Sequence, residues 1–293
     1  MVGAPKLRGI PRLLTLAVSA AALTVAPWIS PASHAGARAE YVALGDSISY
    51  GYDPNFPWPF TGKDFVGYPT DLGAARGNTV VNASCPGDTA AGFVSTQGAD
   101  VGCRSYRASP NIMHVDYQGA QLEFATEFLR SHPNADLVTI GIGINDFYSC
   151  IVRTTDWCAG ELEAVKAEYR TNLTTILRQV RTVYVGKIVL VNYPGQYYGT
   201  SATVVPNLVN AGMAEVAPAF GAVVADTYGA FAAATAAFAG DSCRAGLMIV
   251  GPKGCDSHLT PAGRALVAQT ITEAIQQVAH ASSVQSSVRN RRV

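Results

Sequence analysis

A serine hydroxyl attacks a carbonyl at neutral pH only when a neighbouring base takes its proton, and the oxyanion that forms needs donors already in place. The sequence offers a candidate for each part. Ser47 stands in Gly45-Asp46-Ser47-Ile48-Ser49, directly after the apolar run from Tyr41 to Leu44. Of the histidines, His34 falls in an N-terminal apolar segment, His132 in the turn Ser131-His132-Pro133-Asn134, His280 near the C-terminus and His114 in a long aperiodic stretch. His258 remains, in Cys255-Asp256-Ser257-His258-Leu259-Thr260-Pro261, a loop directly before a helix start with an acid two residues upstream. Asn145, in Gly141-Ile142-Gly143-Ile144-Asn145-Asp146, offers a side-chain amide, and Asp146 could hold that loop through backbone hydrogen bonds. Each motif alone has a plainer reading: a turn capped by Ser47, an Asx turn at Asn145, a surface histidine beside a helix cap. Gly141 and Gly143 open like a dinucleotide fingerprint, but its third glycine is Asp146 here and the run follows the third expected strand, not the first.

Five brief runs rich in Val, Ile or Leu read as buried parallel strands: Tyr41 to Leu44, Thr79 to Asn82, Leu137 to Gly141, Lys187 to Asn192 and Ala222 to Asp226. Helical patterns lie among them. Gln118 to Arg130 sets Leu122, Ala125, Phe128 and Leu129 on one face, and Glu161 to Tyr184 repeats Leu162, Val165, Tyr169, Leu173, Ile176, Leu177 and Val180. Pro206 to Phe220 and Thr227 to Phe238 are Ala-rich, and Pro261 to Val278 forms a last helix capped by Thr260. Alternating strands and helices predict a parallel sheet covered on both faces, with ligands held past the carboxyl ends of the strands. Ser47, Gly87 and Asn145 follow the first, second and third strands, so the topology would gather them there. The stretch from Ala83 to Asp116 lacks periodicity and reads as a long loop.

This ordered set resembles the SGNH, or GDSL-type, hydrolase family, over Tyr41 to about Val278. Gly45-Asp46-Ser47 is similar to its nucleophile block, Gly87 in Pro86-Gly87-Asp88-Thr89 to its second-block glycine, Gly143-Ile144-Asn145-Asp146 to its G-x-N-D block and His258 to its base. The resemblance implies a three-layer α/β/α fold, flavodoxin-like, with a five-stranded parallel sheet in the order 2-1-3-4-5. It implies a secreted ester hydrolase that passes through an acyl-enzyme on Ser47. The oxyanion donors would be the Ser47 and Gly87 backbone N–H groups and the Asn145 amide. At Gly87 a side chain would crowd the approaching substrate. Two positions depart from the pattern: Ile48 replaces the leucine of the GDSL name, and Cys255 stands where the acid three residues before the histidine belongs. Either Asp256 orients the imidazole, or a backbone carbonyl does. No G-x-S-x-G elbow of the α/β-hydrolase kind occurs.

At 48% hydrophobic and 14% charged residues the chain has ample core material, which excludes disorder as its main state. Basic and acidic residues balance at 21 each, and no basic cluster precedes Arg289, Arg291 and Arg292, so no nucleic-acid partner is expected. Lys6, Arg8 and Arg12, the apolar run from Leu13 to Ile29 and Ala35-Gly36-Ala37 read as a signal peptide over residues 1–37. Pro27 and Pro31 break that run, against a stable membrane span. Residues 38–280 would then form one mildly acidic hydrolase domain, expected to be a monomer, and residues 281–293 a solvated tail.

An exported protein meets an oxidising compartment, so disulfides are expected among Cys85, Cys103, Cys150, Cys158, Cys243 and Cys255. Of the 15 pairings that six cysteines allow, the nearest-neighbour set 85/103, 150/158 and 243/255 makes three local loops, each beside one candidate site segment. Without CxxC or a close Cys/His pair, no metal is expected, and the chemistry calls for no cofactor. The substrate would be a small-molecule or lipid ester. Tyr50, Tyr52, Phe56, Trp58 and Phe60, among Pro54, Pro57 and Pro59, either line an acyl groove or pack over the core, with Tyr197 and Tyr198 as further candidates. A carbohydrate acetylesterase, a thioesterase or lysophospholipase, and a nonenzymatic binding domain on the same scaffold are the alternatives.

Overall fold

Strands of three to six residues, rich in Val, Ile and Leu, suit burial on both faces, and the central ones lie so in a computed structural model of the chain, which describes residues 38–290, the last ten as backbone alone. The signal peptide expected over residues 1–37 lies outside the described residues, as do the side chains of the expected tail.

In chain order the elements are β1 (Glu40–Gly45), α1 (Ser47–Tyr50), α2 (Tyr68–Arg76), β2 (Thr79–Asn82), α3 (Ala90–Val94), α4 (Cys103–Ala108), α5 (Gln121–Ser131), β3 (Leu137–Gly141) and α6 (Ile144–Arg153). There follow α7 (Leu162–Val183), β4 (Lys187–Val191), α8 (Val204–Val216), β5 (Val223–Ala225), α9 (Thr227–Thr235), β6 (Met248–Gly251), β7 (Gly254–Leu259) and α10 (Pro261–Asn290). The first five strands form one parallel sheet in the order β2-β1-β3-β4-β5, the three-layer arrangement expected. Along β1 the side chains alternate between faces. Val42 and Leu44 pack with Leu129 of α5, Leu173 and Leu177 of α7 and Val209 of α8. Tyr41 and Ala43 pack on the other face with Leu72 of α2 and with Val267 and Ile271 of α10.

Several boundaries differ from the sequence expectations. The Ala-rich helices stop early: α8 and α9 each pass into a short 3-10 turn, at Ala217–Phe220 and Ala236–Phe238. The last helix runs on to Asn290, beyond Val278. The stretch from Ala83 to Asp116 holds α3 and α4, too short to show a period, with the Cys85–Cys103 bridge between their segments. His258 lies in a strand, not a loop: β6 and β7 pair as an antiparallel hairpin around Pro252 and Lys253. A three-residue apolar run, Met248-Ile249-Val250, before Gly-Pro-Lys-Gly was the available signal.

Candidate active site

The serine is placed by its neighbours. β1 ends at Gly45 and α1 begins at Ser47, with Asp46 as N-cap accepting from the Ile48 N–H at 3.0 Å. The second Asp46 oxygen accepts from the Tyr193 hydroxyl at 2.5 Å. Burial pushes the Asp46 carboxyl up to about 6, against those hydrogen bonds and His258, which pull it down. Of the two serines in the motif, Ser49 is fully buried with its hydroxyl 3.0 Å from that of Tyr68. Ser47 faces the cleft.

Residues 47 and 258 meet across the hairpin. Ser47 Oγ lies 2.9 Å from His258 Nε2, and His258 Nδ1 lies 2.5 Å from Asp256 Oδ1. That same oxygen accepts from the His258 backbone N–H at 3.0 Å, so Asp256 folds back in an Asx turn onto the residue whose ring it faces. Burial raises the Asp256 carboxyl, but its hydrogen bonds to His258 and the charge there outweigh it and leave the group below its ordinary value. The carboxylate, and not a backbone carbonyl, is what meets Nδ1. Tyr52 sets its ring edge-on to the imidazole, 4.8 Å between centroids.

Gly87 and Asn145 line the same cleft as Ser47 and His258. Asn145 donates one Nδ2 hydrogen to the Asp88 carbonyl at 2.8 Å, which leaves its second N–H for a ligand. Gly87 has φ +80°, and a Cβ there would stand 2.8 Å from the Val101 carbonyl carbon and 2.9 Å from the Gly102 nitrogen. The glycine is therefore required by its left-handed backbone and by the bridged loop behind it, a reason different from the substrate crowding expected.

Sequence reasoning missed a buried amide that ties these segments together. Gln121, on α5, accepts from the Gly45 N–H at 2.6 Å and donates to the Gly45 carbonyl at 3.0 Å and to Asp88 Oδ2 at 2.9 Å. Burial raises the Asp88 carboxyl well above the usual range, against the pull of Gln121. One side chain thus fastens the residue before the Asp46–Ser47 turn to the segment whose carbonyl holds Asn145. A glutamine that opens an ordinary amphipathic helix carries no sequence signal for this.

Asp146 accepts from the Ala90 N–H at 2.8 Å, the loop-holding bond expected of it. Burial first, opposed by that bond and aided by Glu168 and Asp46, pushes its carboxyl from 3.8 up to about 7. A carboxyl whose folded pKa exceeds its unfolded one binds more protons when folded, so its contribution to stability is present in acid and lost as pH rises through about 7. Asp146→Asn keeps an acceptor for Ala90 and cannot ionise. Its unfolding free energy, measured by urea titration, should improve relative to the parent by on the order of 2 kcal/mol between pH 5 and pH 8. A difference between the two proteins that is constant with pH would refute the buried titration.

Three bridges join the nearest-neighbour cysteines: Cys85–Cys103, Cys150–Cys158 and Cys243–Cys255. Cys85 precedes Gly87 by two residues, Cys150 ends the turn of α6 that follows Asn145, and Cys255 adjoins Asp256. Of the aromatic segment, only Tyr52 reaches the cleft of Ser47 and His258, where Tyr106 of α4 joins it. Tyr50, Tyr52, Phe56 and Phe60 gather around Phe65, so most of the segment packs over the core. Tyr198 is spent on structure, accepting from the Gly195 N–H and donating to the Tyr228 carbonyl.

A hydroxyl, an imidazole and a carboxylate stand in line at the carboxyl edge of a 2-1-3-4-5 parallel sheet, and that sheet with its flanking helices is the fold of an SGNH ester hydrolase. The chain belongs to the GDSL-like Lipase/Acylhydrolase family, whose model matches residues 43–266. Among solved structures, a catalytic mutant of an acetylxylan esterase from Geobacillus stearothermophilus is similar at 18% identity and TM-score 0.53, over 82% of this chain and 95% of that one. Phospholipase A1 from Streptomyces albidoflavus NA297 is similar at 20% identity and TM-score 0.52, over 81% of this chain and 100% of that one. These likenesses are of fold. No curated protein matches the sequence.

Proposed function

We propose that the protein is an exported serine esterase that cleaves carboxylic esters through an acyl-enzyme on Ser47. What carries the reading is the 2.9 Å separation of Ser47 Oγ and His258 Nε2, two atoms 211 residues apart in sequence. With the Nδ1 hydrogen directed at Asp256, Nε2 is the acceptor that takes the Ser47 proton as Oγ attacks the ester carbon. The carbonyl oxygen turns toward the Ser47 and Gly87 N–H groups and the free Asn145 N–H, each of which gains strength as negative charge develops. His258 then returns its proton to the departing alcohol, and the acyl group stays on Ser47 Oγ. A water attacks next, His258 takes its proton, and the acid leaves as Ser47 recovers its hydrogen. Export is supported by the charged and apolar N-terminal pattern and by three bridges that leave no cysteine free. Among the described residues no helix is long and apolar enough to cross a membrane.

Beside Ser47 lies a second cleft of about 210 Å³, apolar on one side at Ile48, Ile144, Pro194, Ala202 and Pro206 and polar on the other at Asn145, Gln196, Ser257 and His258. The apolar side can bury an alkyl chain next to the Ser47 hydroxyl, while the polar side would be the one to hold a hydroxylated group. In a p-nitrophenyl ester series from acetate to decanoate, kcat/KM should rise with chain length, by at most about fourfold for each methylene the protein buries. A steady fall from acetate onward would favour a carbohydrate acetylesterase. No hydrolysis across the series would overturn the enzymatic reading.

A further inference from the structure

We propose that the rim of the active-site cleft is a lipid-contacting surface, through which the enzyme, on the esterase reading above, works at a lipid–water interface. Large apolar side chains stand exposed on several of the segments that build the cleft. Trp58 (73% exposed) follows the nucleophile helix and, with Phe60 and Tyr106, borders a shallow depression that meets the cleft at Tyr106. Val101 (48%) lines the cleft itself. Val152 (77%) stands one helical turn beyond the cleft residue Tyr148, on the same face of α6. Trp157 (79%) is in the loop that the Cys150–Cys158 bridge closes onto that helix. Val204 (52%) lies between the cleft residues Ala202 and Pro206, and Val250 (65%), on the hairpin that carries His258, borders a neighbouring depression with Phe56 and Phe65.

Single exposed apolar residues need no explanation, but a set of this size around one opening marks a contact surface. Trp157 adds a second argument. Its φ is +58°, followed by Cys158 at +71°, in the left-handed region that bulky residues avoid. The fold holds an indole outward at a conformational cost, the kind of local strain that accompanies binding sites. The occupant is argued from the composition of the rim. Tryptophan settles at membrane interfaces, apolar on its rings and wet at its N–H. A polysaccharide would use the two indoles by stacking and find no use for four valines. Two cations near the rim are paired, Arg104 with Asp100 at 3.0 Å and Arg153 with Glu161 at 2.7 Å, and with Lys253 at the hairpin tip as one exposed charge, burial of apolar side chains rather than attraction to anionic headgroups is the driving force.

The test uses phosphatidylcholine vesicles and the full chain carrying Ser47→Ala, so that no lipid is consumed. Co-sedimentation should be substantial and unchanged by 1 M salt. Adding Trp58→Ser and Trp157→Asn, the latter chosen because asparagine tolerates positive φ, should lower the partition coefficient about tenfold or more. The comparison cancels residues common to both proteins, including the apolar run from Leu13 to Ile29. With Ser47 restored, the double tryptophan variant should hydrolyse water-soluble p-nitrophenyl acetate within about twofold of the parent. Equal partition of both proteins, release of the parent by salt, or retention on insoluble polysaccharide in place of vesicles would overturn the proposal. A parent that binds vesicles but leaves the soluble ester intact would instead refute the esterase reading alone.

Discussion

Replacing Ser47 with alanine should abolish turnover of soluble esters, by on the order of 10⁶ in kcat, while leaving the fold in place. The magnitude follows from what the site loses. Without Oγ there is no acyl-enzyme, and what remains is binding and oxyanion stabilisation of a direct attack by water. The fold is spared for a specific reason: the cap of α1 is the Asp46 carboxylate on the Ile48 N–H, and Ser47 Oγ takes no part in it. His258, with 16% of its side chain exposed, can direct Nε2 to water once its partner is gone. The melting temperature should therefore shift by no more than about 2 °C. A fluorophosphonate should label the parent on the peptide containing Ser47 and leave the variant unlabelled. Activity within tenfold of the parent would remove Ser47 as nucleophile, and labelling at Ser49 would reassign it, although that hydroxyl is fully buried against Tyr68.

The sequence separates those two serines poorly, and the reason shows how far it can be read. Both are polar and follow the same strand, and only the helical turn started by Asp46 sends one to the cleft and the other to Tyr68. The five parallel strands were legible because burial on both faces forces continuous apolar runs, and the long amphipathic helix α7 because one face meets the sheet. The hairpin carrying His258 was not, because β7 reads Gly-Cys-Asp-Ser-His-Leu and is polar along most of its length. Its strand character comes from pairing with β6 and from the Cys243–Cys255 bridge, neither of which leaves a periodic trace. The buried link from Gly45 through Gln121 to Asp88 and Asn145 was illegible for a related reason. Hydrogen bonds between residues up to 76 apart depend on how helices dock, and residue type alone records only that each could bond to something. The same limit applies to Gly87, where the need for glycine was foreseen and its cause, the Val101–Gly102 backbone, was not.

Asp256 was the least determined member of the site in sequence, one residue short of the family's usual spacing, and Asp256→Ala should lower kcat by about 10³ to 10⁴ with little change in KM. The argument is one of orientation and charge. A single oxygen, Asp256 Oδ1, accepts from the His258 backbone N–H at 3.0 Å and faces Nδ1 at 2.5 Å, and alanine removes both contacts. Nothing then directs the ring hydrogen to Nδ1, and the tautomer that carries it on Nε2, 2.9 Å from Ser47 Oγ, is no longer disfavoured. A nitrogen carrying a hydrogen cannot take the serine proton, and the imidazolium has lost its counter-charge. In the parent the opposite holds: the His258 interactions keep Asp256 ionised below the usual carboxylate range, ready to stabilise the imidazolium as it forms. Because Asp256 touches neither cleft wall, substrate binding should hardly change, and the loss should fall on kcat. Measured kcat within tenfold of the parent, in protein with an unaltered melting curve, would mean that the imidazole is held well enough without the carboxylate, and the chemistry would rest on a serine–histidine dyad.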